Sequence, residues 1–293
     1  MDIQNNLLAN LKKNYIKDLL EYYNKNESEQ LLTILIEHFF NITRFQLIMK
    51  PDIRISESEI LKLHMAIKEL KKYKPVQYVT GEVEFHNLKF KVNSDVLIPR
   101  PETEELVQLI SNIEKNKSLK VLDIGTGSGC IAISLSKLLS SATVHASDIS
   151  ESAIKVAQSN AITNNVEVNF HNHDILNIKQ SICKKNDTLI MFDIIISNPP
   201  YVTQLDKNKM QPNVIDYEPH NALFVSSTKP LVYYDAIVQF AQKQLVSGGR
   251  LYFEINESLG NQMVTLLKNN NFINIELKKD LSSRDRFIFG HNT

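Results

Sequence analysis

The chain has 293 residues, 43% of them hydrophobic and 23% charged. That is close to globular usage and enough for two domains at about 150 residues each, which excludes a wholly disordered chain. Lysine plus arginine is 33 and aspartate plus glutamate is 33, so the formal net charge is zero, and a strongly basic nucleic-acid binder is disfavoured. Glycine is the outlier, with only 8 residues where average usage would give about 20. None precedes Gly81, and Gly125, Gly127 and Gly129 fall within five residues of one another. A chain this sparing places glycine where the backbone has no substitute. The two cysteines, Cys130 and Cys183, form no CxxC pair, so neither a disulfide framework nor a thiolate zinc site is expected. The polar opening MDIQNN lacks a signal-peptide pattern. The apolar run Leu31–Phe40 is broken by Glu37 and His38 and falls short of the ~18 residues of a membrane span. A cytoplasmic protein without a membrane anchor is expected.

In chain order, residues 1–74 read as helical. Leu7, Leu8, Leu11, Tyr15 and Leu19 recur at helical spacing, as do Leu31, Leu32, Leu35, Phe39 and Phe40, then Ile60, Leu63, Ile67 and Leu70. Ser56 and Glu59 make a capping box before the third stripe, and Pro51 marks a loop. From residue 83 the period changes. Val83, Phe85, Leu88, Phe90 and Val92 alternate with polar residues about His86-Asn87, the pattern of a β-hairpin. From about residue 118 strands and helices alternate. The expected strands are Lys120–Ile124, Thr143–Asp148, Glu167–His171, Asp193–Ser197, Arg250–Ile255, Asn274–Lys279 and Arg286–Phe289. Helical patterns are read between the first five, Gly248-Gly249 is read as the turn before the fifth, and the short spacing of the last two allows antiparallel pairing. This is an α/β, mostly parallel, doubly wound sheet.

Strand residues Val121–Ile124 lead into Gly125-Thr126-Gly127-Ser128-Gly129 and then a helical run. Strand, glycine turn, helix is the cofactor corner of such a sheet, where glycines let the backbone approach a ligand closely. Asp148 ends the second strand, where an acid can hold both ribose hydroxyls. Asp174 ends the third, where a carboxylate can accept from an adenine amino group. Either aspartate alone would be a strand-end cap; together they favour an adenosine-containing cofactor. With no phosphate-binding lysine nearby, S-adenosylmethionine is favoured over a nucleoside triphosphate, and NAD stays open on these residues alone.

Asn198-Pro199-Pro200-Tyr201 follows the fourth strand. Pro199 pushes Asn198 extended, and two prolines make a stiff, donor-free turn at the carboxyl edge of the sheet, where ligands bind. The Asn198 side-chain oxygen and the Pro199 carbonyl are acceptors, and Tyr201 offers an aromatic face. Two acceptors holding an NH2 group would favour a pyramidal nitrogen and aim its lone pair at a methyl donor. A substrate lacking the NH2 would leave both acceptors unpaired.

With these motifs in place, the sequence resembles the HemK/PrmC family, the release-factor glutamine methyltransferases. The resemblance covers nearly the whole chain and is carried by Pro75–Phe85, Leu97–Glu105 (LIPRPETEE), Asp123–Gly129 (DIGTGSG), Asp148–Ser150, Asn198–Val202 (NPPYV), Glu218–Leu223 (EPHNAL) and Asp280–Arg286 (DLSSRDR). NPPY alone is shared with adenine methyltransferases of nucleic acid; joined to LIPRPETEE it is much narrower. The resemblance implies a class I S-adenosylmethionine-dependent methyltransferase, with a Rossmann-like seven-stranded sheet over residues 99–293, an N-terminal helical bundle over 1–74 that docks the release factor, and a hairpin linker over 75–98. It implies methylation of the side-chain amide nitrogen of the Gly-Gly-Gln glutamine in class 1 peptide chain release factors; such a transfer from a sulfonium donor needs no metal, and a monomer is expected. Carried over, Gly125, Thr126, Gly127, Ser128 and Gly129 lie at the methionine part of the cofactor, Asp148 at the ribose, Asp174 and Ile175 at the adenine. Asn198, Pro199, Pro200 and Tyr201 hold the glutamine, Asn198 also bordering the cofactor; Asn198, Pro199 and Tyr201 are the expected catalytic residues. Arg100 and Glu102 shape the pocket mouth.

The sequence departs from the family pattern in three places. Asn256 and Ser283 stand where glycine is usual, and the glycines that often follow EPxxAL are replaced around Ser226–Lys229. The HxH of His171 and His173 beside Asp174 has no third ligand in view. Cys130 is read as a packed residue, and Lys68, Lys71, Lys72 and Lys74 as a solvated helix end. The competing readings are an N(6)-adenine nucleic-acid methyltransferase, opposed by the neutral charge, and a glutamine methyltransferase acting on a ribosomal protein, opposed by the sequence after IPR. A non-catalytic cofactor scaffold is opposed by the intact loop, Asp148 and NPPY.

Overall fold

The computed structural model describes residues 6–115, 117–177, 180–182, 188–203, 207 and 210–293; Cys183 lies outside them. The described residues fall into two compact units, one up to Gly81 plus Gln211–Tyr217, the other Glu82–Met210 and Glu218–Thr293.

The first unit is helical: α1 (Leu8–Leu19), α2 (Lys25–Phe40), α3 (Arg44–Met49), α4 (Glu57–Leu70) and α5 (Val76–Thr80). The three expected stripes are α1, α2 and α4, and their apolar faces meet in one core of Leu8, Leu19, Leu32, Leu35, Ile36, Leu63 and Leu70. The Ser56–Glu59 capping box is present. A second box, Thr43 with Gln46, opens α3, too short a helix to show a stripe. Tyr23 donates its hydroxyl to the Leu70 carbonyl at 2.6 Å. Helix α9 (Pro212–Tyr217) belongs to this unit, and Tyr217 donates to the Lys72 carbonyl at 2.8 Å.

The second unit begins with the hairpin β1 (Glu82–Phe85) and β2 (Leu88–Lys91), turning through His86 and Asn87, both at positive φ. That left-handed pair matches the strand twist. The hairpin is part of this unit's core: Phe85 and Phe90 are buried, with rings 5.8 Å apart and edge-on. Then come α6 (Pro101–Glu114), β3 (Lys120–Ile124), α7 (Cys130–Leu138), β4 (Thr143–Asp148), α8 (Glu151–Thr163), β5 (Asn169–Asn172) and β6 (Phe192–Ser197). The chain continues with α10 (His220–Leu223), α11 (Val232–Gln244), β7 (Leu245–Glu254), α12 (Gly260–Asn269), β8 (Ile273–Lys279) and β9 (Asp285–His291). Among the described residues the strands form one seven-stranded sheet in the order β5-β4-β3-β6-β7-β9-β8. β9 runs antiparallel to both β7 and β8, and the other pairs are parallel. Alternate residues serve opposite faces: Val121, Ile194 and Ile196 pack in one core with α6 and α7, Leu122 and Ile195 in the other with α11 and α12.

Three expectations change. The third strand starts at Asn169 rather than Glu167 and ends at Asn172, so Asp174 lies two residues beyond it. No helix occurs between β5 and β6 among the described residues; the buried Gln244 side chain instead pins this stretch, donating to the Ile182 and Ile190 carbonyls, both at 2.7 Å. Gly248 and Gly249 lie inside β7, which starts at Leu245 and shifts register against β6 there. A Cβ on Gly249 would stand 2.9 Å from the Val246 carbonyl oxygen and 3.1 Å from that of Asp193, so two backbones approach there.

Of the glycine replacements, Asn256 is accommodated, at φ −66° and capping the short turn Glu257–Leu259 by accepting from the Ser258 N–H. Ser283 is not: it sits at φ +64° between β8 and β9. A side chain in that region costs of order 1 kcal/mol or more, so Ser283→Gly is expected to raise unfolding stability by about 0.5–1 kcal/mol after the entropy of glycine is subtracted. Truncating a buried Phe leaves a cavity, so Phe90→Ala should cost about 3–5 kcal/mol in the urea unfolding transition of the sheet unit. A loss below about 1 kcal/mol would make the hairpin a passive connector.

Candidate active site

The site lies at the carboxyl edge of the central parallel pair. Ile124 of β3 is level with Ser197 of β6, and the Ser197 hydroxyl donates to the Ile124 carbonyl at 2.7 Å. The residues that follow, Gly125 and Asn198, therefore start from the same edge. A cavity of about 240 Å³ opens there, and Gly125, Gly127, Asp148, Asp174, Ile175, Asn198, Pro199 and Pro200 all line it.

The glycine loop is held from below. The N–H groups of Gly125 and Thr126 donate to the Ser147 carbonyl, and that of Gly129 to the Thr126 carbonyl. The Gly127 N–H donates to Asp148 Oδ2 at 2.9 Å. These four amides are thus committed to the protein, and what the loop offers a ligand is room. Gly125 and Gly127 are at φ +74° and +55°, with no atom within 4 Å of where a Cβ would stand. Gly129 serves packing instead: a Cβ there would meet Ile133 Cδ1 at 2.8 Å and Ala157 Cβ at 3.1 Å. Thr126 and Ser128 are buried and do not line the cavity.

Asp148 receives N–H donors on both oxygens, Gly127 on one and Ser150 on the other, each at 2.9 Å. A carboxylate has about four lone-pair sites, so it retains acceptors for two hydroxyls. Burial raises its pKa, while the backbone donors from Ser150 and Gly127 oppose that rise. Asp174 uses Oδ1 to accept from the Leu176 N–H at 2.9 Å. Ile149, Ile175 and Leu176 supply an apolar wall beside the two aspartates. An open glycine cradle, a carboxylate with spare acceptors and an apolar slot ending at a second carboxylate suit an adenosine carrying a small polar tail.

Asn198 and Pro199 also line a second cavity of about 50 Å³, together with Arg100, Tyr201, Val202 and Leu223. These two residues thus stand between the larger cavity and a smaller one. Arg100 is held in place by a 2.6 Å ion pair with the buried Glu218, which also accepts from the Ile98 N–H. Glu102 pairs with Arg284 at 3.2 Å and lines neither cavity.

Several residues that hold this site together are not among the expected site residues. Glu254, at the end of β7, is 1% exposed and accepts from the Thr103 hydroxyl at 2.7 Å and the Tyr201 hydroxyl at 3.4 Å. Thr103 in turn accepts from Asn198 Nδ2 at 3.3 Å. Asp123 is fully buried beneath the glycine loop, with the Thr126 hydroxyl on Oδ2 at 2.6 Å and no hydrogen-bond partner on Oδ1. Burial pushes the Asp123 carboxyl up to about 7. A hint was available for Asp123, Thr126 and Thr103, which fall within DIGTGSG and LIPRPETEE, but none for the pairing of Thr103 with Glu254.

His171 stacks on His145 with ring nitrogens 2.9 Å apart, and His173 is buried against Phe240. Burial lowers the pKa of all three histidines. Among the described residues no group of three or more His, Cys, Asp or Glu could hold a metal ion, and no helix is long and apolar enough to cross a membrane. Cys130 is buried, and burial raises its thiol pKa to about 12.

The chain is similar to known proteins along most of its length. Residues 106–219 match the methyltransferase small domain, and residues 14–81 match the PrmC N-terminal domain. A methyltransferase from Pyrococcus furiosus shares the fold, with a TM-score of 0.50 at 17% identity over 70% of this chain and 89% of that one. The α/β sheet is that of a class I S-adenosylmethionine-dependent methyltransferase. A release factor glutamine methyltransferase of Flavobacterium psychrophilum is 43% identical over 96% of this chain and 98% of its own length. Another, of Bacteroides thetaiotaomicron, is 39% identical over 94% and 96%. With likeness at that level along nearly the full length of both, this chain belongs to the release factor glutamine methyltransferase family.

Proposed function

We propose that this chain methylates the side-chain amide nitrogen of the Gly-Gly-Gln glutamine in class 1 peptide chain release factors, using S-adenosylmethionine. The observation that carries the reading is that Asn198 and Pro199 line both cavities at once. When bound, the cofactor supplies an electrophilic methyl group on a sulfonium. Gly125 and Gly127 leave room for its methionine part, Asp148 accepts from its ribose hydroxyls, and Asp174 with Ile175 borders its adenine.

The chain's own task is to make a poor nucleophile attack. An amide nitrogen shares its lone pair with the carbonyl. Asn198 Oδ1 and the Pro199 carbonyl accept its two N–H bonds from the smaller cavity, so the lone pair faces the larger one. Positioning of this kind is worth several kcal/mol of the ~7–11 available from near-attack geometry. Pro199 and Pro200 keep the turn stiff and free of competing N–H donors. Tyr201, tied to Glu254, closes the far side. Arg100, locked to Glu218, keeps donors for the backbone carbonyls of an incoming peptide.

The helical unit is assigned to docking the release factor. In support, Phe45 and Ile48 of α3 are each 70% exposed and Met49 is 63% exposed, an apolar surface unusual for so short a helix. The protein would act as a monomer in the cytoplasm, where its substrate is.

The deciding assay incubates the protein with methyl-labelled S-adenosylmethionine and a purified class 1 release factor, with single-stranded and duplex DNA and ribosomal protein in parallel. Label on the release-factor glutamine is expected; label only on DNA or ribosomal protein would refute the reading. Asn198→Ala should lower transfer by about 100-fold or more while cofactor affinity, measured by calorimetry, changes by less than about fivefold. Asp148→Ala removes a charged acceptor, so it should weaken cofactor binding by about 10–100-fold. An unchanged dissociation constant would remove Asp148 from the ribose role.

A further inference from the structure

An asparagine side chain is ambidextrous: its oxygen accepts, its nitrogen donates, and the two ends have nearly the same shape. Asn198 serves an NH2-bearing substrate only with the oxygen presented to it. Turned by 180°, it would set donor against donor. Something must choose between the two orientations.

The surroundings of Asn198 contain such a device. Asn198 Nδ2 donates to Thr103 Oγ1 at 3.3 Å, and the Thr103 hydroxyl donates to Glu254 Oε2 at 2.7 Å. Thr103 is 3% exposed and Glu254 1%, so water does not compete. A hydroxyl has one proton. Once that proton is given to a carboxylate, Thr103 turns only lone pairs towards Asn198, and only the nitrogen end of the amide can face it. The other Glu254 oxygen accepts from Tyr201 at 3.4 Å, so both ends of the carboxylate take donors from the chain around the site.

We propose that Thr103 and Glu254 are positioning residues that fix the acceptor orientation of Asn198, and thereby restrict the site to substrates that donate an NH2 group. This rests on the methyl-transfer reading above. Neither residue lines either cavity, so both act through Asn198. The relay has a direction only while Glu254 is ionised. A protonated Glu254 can donate to Thr103, whose own proton is then free to bind Asn198 Oδ1 and reverse the amide. Burial pushes the Glu254 carboxyl up to about 7. The groups facing it are Thr103 and Glu102 of α6, Cys130 of α7, Tyr201 after β6, Tyr234 of α11 and Arg286 of β9; Glu102 raises its pKa, Thr103, Arg286 and Tyr201 lower it, and burial keeps Cys130 and Tyr234 neutral. Tyr234 of α11 donates to the Glu254 backbone carbonyl at 3.1 Å, not to the carboxyl. Activity should therefore decline as pH falls through about 7.

The test follows kcat on a release factor from pH 5.5 to 9 in the intact protein, with cofactor affinity measured separately. Thr103→Val is expected to lower kcat by about tenfold or more with cofactor affinity within about twofold of wild type, and Thr103→Ser to recover it to within about threefold. Glu254→Gln does not titrate, so the acid limb of kcat should flatten. In NMR spectra the Asn198 side-chain NH2 should exchange with solvent faster in Thr103→Val than in wild type. The inference is overturned if Thr103→Val keeps kcat within about twofold, if Thr103→Ser is no better than Thr103→Val, or if Glu254→Gln keeps the wild-type acid limb. Should Thr103→Val fail to fold, the pH profiles of wild type and Glu254→Gln decide. A wild-type protein that does not methylate the release factor would defeat the proposed function, a different result from an active wild type with indifferent variants.

Discussion

The register of β3 against β6 is the constraint on which the site depends. Ile124 pairs with Ser197, and the Ser197 hydroxyl bonds across to the Ile124 carbonyl. A parallel pair has no tight turn to set its register, so burial on both faces has to do so. The alternating cores supply that: Val121 and Ile194 to one face, Leu122 and Ile195 to the other. A slip of one residue would bring Asn198 level with Ile124 instead of Gly125 and exchange the two faces of the strand. The glycine loop and the Asn-Pro-Pro turn meet because apolar residues far below them leave one alignment.

Around that edge, distant parts of the chain converge on a few polar atoms. Helix α6 brings Thr103, β7 brings Glu254, β9 brings Arg286 and the stretch before α10 brings Glu218. Most of these groups are buried, and burying a polar group without a partner is costly. Each therefore has a defined partner: Arg286 donates to Asp280 and the Ile255 carbonyl, Glu218 receives Arg100 and the Ile98 N–H. The same bonds that satisfy these groups hold the walls of the smaller cavity.

What was legible in the sequence is what is contiguous. Val121–Gly129, Asp148 and Asn198–Tyr201 are each read within a few residues, because strand, turn and helix signals are local. The hairpin was legible from alternation, though not its place in the core, which depends on Phe85 and Phe90 meeting the faces of α6 and α7. The loop glycines pointed to the cofactor corner, yet their amides turned out to be donated to Ser147, Asp148 and Thr126. The Thr103–Glu254 bond was invisible, since it joins residues 151 positions apart and neither carries a period or a spacing. Gly248-Gly249 was misread because a strand irregularity and a turn share the same residues.

The two carboxyls buried at this edge also enter the proton balance of folding. In the unfolded chain Asp123 and Glu254 would ionise near pH 4; in the folded one both are held near 7. Between those values the native state carries protons that the unfolded state has released. At these two groups folding takes up protons, against the release at the histidines His145, His171 and His173, and linkage makes the contribution of both carboxyls to stability greatest at acid pH and progressively lost as pH rises towards 7. The sheet edge proposed to carry the chemistry is thus a place where these two carboxyls give up native stability as neutral pH is approached, while in the proposed relay ionisation of Glu254 brings Asn198 into its directed form. Stability and competence at one buried carboxylate run in opposite directions along the same pH axis.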